Sequence, residues 1–138
     1  MANYCCTSRT NYFTVTDEEK YKELFSNLIS EDNIEDFTTE TDGKISHGFG
    51  SYGVIDYCPD EDEDECNFDY FLNELQKILP DNEAFMLFEA GNEKLRFVSG
   101  SVCIVTNKDI KFFTLRDVAL EAARAMLNNN DFDTITDY

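Results

Sequence analysis

Residues 67–89 read NFDYFLNELQKILPDNEAFMLFE, and this stretch decides the fold class. Phe68, Phe71, Leu72, Leu75, Ile78 and Leu79 recur at three- and four-residue intervals, which places one apolar stripe along a helix. Asn67 stands at its start and Pro80 marks its end. From Ala84 to Glu89 the pattern becomes strand-like and leads through Gly91-Asn92, read as a turn, into Lys94 to Val98.

Working outward, two more helices carry start signals. Thr16 and Glu19 form a capping-box pattern ahead of Tyr21, Leu24, Phe25, Leu28 and Ile29. Thr114, with Asp117 three places on, opens a helix expected to bury Leu115, Val118, Ala119, Ala122, Met126 and Leu127 before Asn128–Asn130 stop it. The strands expected between them are Tyr12 to Val15, Ile34 to Glu40, Lys44 to Phe49 after an Asp42-Gly43 turn, Val54-Ile55, Val102 to Thr106 and Ile110 to Phe113. Gly100 reads as a bulge or bend. The order β-α-β-β-β-α-β-β-β-α predicts one α+β domain over 1–138, a mostly antiparallel sheet with its three helices on one face. Shifting the chain by 50 residues superposes the apolar pattern, with Tyr21 on Phe71 and Phe25 on Leu75, so a repeated αβββ unit is a further expectation.

The formal net charge is -18, from 29 acids and 11 bases. Residues 51–100 hold thirteen of those acids against three bases. Sparse, unclustered Lys and Arg argue against direct nucleic-acid binding and against docking on an anionic membrane. The charge attracts a basic partner instead. The densest feature is Asp60, Glu61, Asp62, Glu63, Asp64 and Glu65, expected in an exposed loop over 58–66. Either the run keeps the chain hydrated or it anchors a basic groove. In the second reading, Glu35 and Asp36 extend a partner-binding track, among other acids from Asp17 to Asp42, in imitation of phosphates.

Other chemistry finds weak support. Asp60, Asp62 and Asp64 fit the first ligand positions of an EF-hand, but Glu65 replaces its glycine and Phe71 its final glutamate. The five cysteines lack zinc spacing and do not form a secreted disulfide framework, and Cys103 lies in an apolar strand. His47, the single histidine, is expected as a surface or half-buried strand residue without a nucleophile constellation. Gly48 to Gly53 lacks the lysine and context of a phosphate loop. No catalytic site, metal or cofactor is therefore expected. The chain shows no apolar leader or membrane span, so a cytoplasmic location is expected.

The opening Met1 to Phe13 (MANYCCTSRTNYF), His47 to Gly53, Glu89 to Arg96 and the closing Asp137-Tyr138 resemble a family of small acidic proteins carried by bacterial conjugative elements and phages. In size and charge the chain is similar to anti-restriction and anti-CRISPR inhibitors, some of which imitate DNA. That resemblance implies a non-enzymatic anti-defence protein that occludes a nucleic-acid-binding partner. The alternative is a structural or self-associating accessory module whose acidity serves solubility alone.

Overall fold

The computed structural model describes residues 4–59, 66–95 and 97–134. The chain is α+β, and the described residues form three helices among antiparallel strands. In order they are β1 (Cys5–Thr10), α1 (Glu18–Ser26), β2 (Leu28–Ser30), β3 (Glu35–Asp36), β4 (Thr39–Thr41), β5 (Lys44–Ser46), β6 (Phe49–Ser51), β7 (Ile55–Tyr57), α2 (Phe68–Gln76), β8 (Phe85–Glu93), β9 (Phe97–Val105), β10 (Ile110–Thr114) and α3 (Leu115–Leu127). A six-stranded sheet runs β10-β9-β8-β1-β6-β3, and the pairs β2-β7 and β4-β5 stand beside it.

All three helices start on a side-chain cap. Asp17, Asn67 and Thr114 each accept from the backbone N–H three residues on, which satisfies one orphan donor of the first turn. The first helix therefore starts from Asp17 and not from Thr16. It also stops at Ser26, because Leu28–Ser30 pair with β7 and so leave the helical stripe. At the other end of the chain, Asn128 closes α3 in the left-handed region, at φ 50°.

The first strand is β1, where the sequence pointed to Tyr12–Val15; there only Phe13 forms a bridge, to His47. The β1 sequence CCTSRT hides its alternation because its inward residues, Ser8 and Thr10, are polar. Both are buried and bonded: Ser8 Oγ donates to the Gly53 carbonyl at 2.8 Å, and Thr10 Oγ1 accepts from the Phe49 N–H at 3.0 Å. Asp42 and Gly43, at φ 54° and 79°, make the expected tight turn between β4 and β5. Gly91-Asn92 is not a turn: β8 continues to Glu93, and the chain reverses with Lys94 at φ 55°. Gly100 is not a bulge either. It faces Ala90 in an unbroken ladder, and a Cβ there would stand 2.6 Å from Leu115 Cδ1, so the glycine makes room for α3. Helices α1 and α2 do repeat at a spacing of 50 residues in bounds and cap, but three short strand pairings follow α1 where a nine-residue hairpin follows α2.

The core gathers on one sheet face, under α1 and α2. Phe13, Phe49, Phe71 and Phe85 are fully buried and meet mostly edge to face, with ring centroids 5.1 Å apart for Phe13–Phe85 and 6.3 Å for Phe49–Phe71, while Phe49 and Phe85 are tilted at 35°. Cys103 lies in this core, where burial pushes its thiol pKa up. Strand alternation sends Met86, Phe88, Ala90, Val98, Val102 and Phe113 to the opposite face. Helix α3 approaches that second face through Leu115, so the three helices do not share one side. Its stripe is not buried as expected: Leu115 is 65% exposed and Met126 85%. A groove of about 270 Å³ remains between α3 and the sheet, lined by Phe88, Val102, Phe113, Leu115 and Val118 among others.

Candidate functional site: an acidic rim and a clamped histidine

Residues 31–42 hold six acids and no base. The fold lays this segment along the β3 edge of the large sheet and into the β4–β5 hairpin, where Glu31, Asp32, Glu35, Asp36, Glu40 and Asp42 are all exposed. Among the described residues β3 pairs only with β6, which leaves its other edge without a strand partner. Among the described residues no Lys or Arg forms a salt bridge with any of the six. Glu74 differs: Lys77 donates to it at 2.6 Å and Lys20 lies 3.5 Å away, and the bond from Lys77 holds its carboxyl below the usual range. Two bases are near: Arg9, whose guanidinium lies 4.4 Å from the Phe37 centroid and 5.9 Å from that of Tyr12, and the exposed Lys44 on β5 of the hairpin itself. With six acids against these two, the rim keeps a net negative charge.

Two of the sequence-predicted contact residues, Glu35 and Asp36, fall on this rim. Asp60, Glu61, Asp62, Glu63, Asp64 and Glu65 lie outside the described residues. What is described is the root of their segment. Cys58 and Cys66 are joined by a disulfide, the Cys58 N–H donates to the Asn27 carbonyl at 2.9 Å, and the Asn67 N–H donates to that of Tyr57 at 2.8 Å. Leu28 pairs with Tyr57 and Ser30 with Ile55, so the root sits at one end of the β2–β7 ladder while Glu31 leaves from the other. The sequence did not reveal the disulfide, since seven residues separate the two cysteines without a framework motif. Asp56 lies within 4.8 Å of both sulfurs, but a disulfide offers a metal no thiolate.

His47 is buried, contrary to the expectation of a surface or half-buried residue. Its ring lies over Tyr21, with centroids 4.1 Å apart. Glu18 Oε1 stands 2.7 Å from Nε2, and Thr38 Oγ1 stands 3.1 Å from Nδ1. The Thr38 hydroxyl donates to Asp36 Oδ1 at 2.5 Å, which leaves its oxygen an acceptor toward the ring. Both ring nitrogens are therefore engaged, Nε2 with Glu18 and Nδ1 with Thr38. The cluster ties the first turn of α1 to the β3–β4 connection and fixes Asp36 in place on the rim. No local sequence signal marks it, because distant segments are brought together by tertiary pairings, the Phe13–His47 bridge and the bond from the Phe37 N–H to the Gly48 carbonyl among them.

No protein-family model matches the chain, and no curated protein or solved structure proved similar to it. No helix among the described residues is long and apolar enough to cross a membrane.

Proposed function

We propose that this protein is a non-enzymatic binding protein that docks its acidic rim onto a basic groove of a nucleic-acid-binding partner. In doing so it stands in for DNA, as an anti-defence inhibitor of a mobile element would. The observation that carries this reading is the unpaired run of six acids on the exposed β3 edge and the β4–β5 hairpin. On an extended strand, acids two residues apart are about 7 Å apart, close to two steps of a phosphate strand at about 3.4 Å per step. Glu40 lies on β4, and Asp42 stands in the turn that follows it. Both nitrogens of His47 are engaged, so it offers no free base to a substrate, and its role is to hold Asp36 and α1. The resemblance to acidic proteins of mobile elements agrees with this reading, and a cytoplasmic location is part of the proposal. Thiol reduction there would open the 58–66 link at the root of the second acidic segment.

Neutralising Glu35, Glu40 and Asp42 together (to Gln, Gln and Asn) spares Asp36 and its bond to Thr38. Each exposed ion pair contributes up to about 0.5 kcal/mol, so affinity for an oligo-arginine peptide at low salt should fall about tenfold. The same number of changes at Glu121, Asp131 and Asp133, on and just after α3 and so at the far edge of the sheet from β3, should cost much less. Equal losses from the two triples, read by titration calorimetry, would show that net charge alone binds the peptide and that the rim is not a site.

A further inference from the structure

We infer that α3 and the uncovered face of the β8–β9–β10 sheet form the interface of a symmetric homodimer. This rests on observations separate from the acidic rim.

Among the described residues, α3 is an amphipathic helix whose apolar face lacks a partner. Leu115, Val118, Ala119, Ala122 and Met126 recur at three- and four-residue spacing and span one face of α3, yet all five are exposed. The sheet face beneath the start of the helix is apolar too, with Phe88, Val98 and Phe113 each roughly half exposed. Antiparallel sheets commonly cover one face and leave the other polar. Here both faces are apolar and α3 reaches only the edge of the second. Half-exposed side chains of this size present about 100 Å² each, so the helix and sheet residues together offer roughly 700 Å². That exceeds the few hundred Å² usual on a monomer and approaches the ~800 Å² each partner contributes to a stable complex.

Self-complementarity selects a second copy as the occupant. Run antiparallel about a twofold axis between Leu120 and Glu121, the stripe matches itself: Leu115 opposes Met126 of the other copy, and Ala119 opposes Ala122. Large side chains meet at the ends and alanines at the centre, where two helix backbones can approach closely. The far half of each helix then covers the groove of the other, because Met126 arrives beside Leu115, which lines it. Asp117, Glu121 and Arg124 lie off the stripe, so the helix brings no charge to the seam, while Lys111 shares the sheet face and is exposed. The charge distribution agrees. Residues 110–127 carry three bases and two acids, a local +1 in a chain of -18, so two copies meet where their mutual repulsion is least.

Sedimentation equilibrium of the full chain at high micromolar concentration, in low and in high NaCl, tests this. The expected result is twice the chain mass, with the dimer strengthened by salt as the residual repulsion is screened. Ala122→Glu changes an exposed position to a good helix former, so circular dichroism should be unchanged. In the dimer it places two glutamates at the centre of the seam, and the dissociation constant should rise about 100-fold or more. A monomeric mass in both salts would overturn the inference. So would a dimer that Ala122→Glu leaves intact, since its interface would then lie elsewhere.

Discussion

Replacing Tyr21 by Phe should stabilise the protein, although Tyr21 lies in the middle of the core. Its side chain is 4% exposed, and its ring packs on Phe13, Phe25 and His47 with centroids 5.7, 5.9 and 4.1 Å away. Phe keeps all three contacts. The hydroxyl is a different matter: it is buried, and no described residue accepts from it or donates to it. A buried, unsatisfied hydroxyl costs about 1–3 kcal/mol, so its removal should raise stability by about 1 kcal/mol, or about 3 °C in Tm for a chain of this size. The acids are near enough to matter without bonding. Burial first, and then the charges of Asp36 and Glu18, push the phenol pKa far above its ordinary value. A folded-state pKa raised in this way contributes stability below the unfolded value of about 10 and loses it as pH rises beyond that, because only the unfolded chain can then ionise. The advantage of Tyr21→Phe should therefore widen above about pH 10. Urea unfolding followed by far-ultraviolet circular dichroism measures both effects, and the chain has no tryptophan to serve as a fluorescence probe. A variant less stable than the parent by about 1 kcal/mol would mean that the hydroxyl has a strong partner in solution, and the reasoning would fail.

Two further perturbations follow from the same structure. Glu74 has a depressed folded-state pKa, set first by the bond from Lys77, so its contribution is present above the unfolded carboxylate pKa and is lost as pH falls through the folded one. Glu74→Gln should cost under about 1 kcal/mol at neutral pH and flatten the acid limb of the stability curve below about pH 4, as seen in acid titrations of both proteins. The Cys58–Cys66 disulfide closes a loop with a sequence separation of 8, for which chain entropy gives about 2.5 kcal/mol. A thiol reductant should lower the urea midpoint of the parent accordingly and leave that of the Cys58→Ser, Cys66→Ser double variant unmoved.

What could be read from the sequence was whatever is encoded locally. The Asn67 and Thr114 caps, the Asp42-Gly43 turn and the apolar stripes of α2 and α3 all depend on residues within one or two turns of each other, and all are present. The features that were missed are made by distant partners. Leu28 and Ile29 fit the helical stripe of α1, but pairing with Tyr57 and Asp56 draws them into β2. The polar inward residues of β1 concealed a central strand. For the rim, Glu35 and Asp36 were identifiable as acids, but their edge position depends on β6 and their lack of counter-ions on the whole fold. One missed signal was local: Phe85–Phe88 and Val102–Val105 are unbroken apolar runs, the mark of strands covered on both faces, and among the described residues the second face is only partly covered, by α3.

The rim and the α3 face belong to opposite edges of one sheet, and this separation explains how they can coexist. From β3 to β10 are five inter-strand steps, about 24 Å at about 4.8 Å each, more than twice the Debye length in physiological salt. Over that distance the rim's field is largely screened, so β10 and α3 can associate without the acids at β3 opposing them. Joining two copies through α3 leaves both rims at the outer edges, facing away from the seam. Each rim keeps its own affinity, and a partner with two basic grooves is held by both, with the second contact favoured by the high effective concentration that the first creates. Salt acts on the two ends in opposite directions, weakening the rim's contact with cations and strengthening the contact between copies. The acidity that sets the partner's charge thus also sets where self-association can occur: at the one edge of the sheet from which negative charge has been withdrawn.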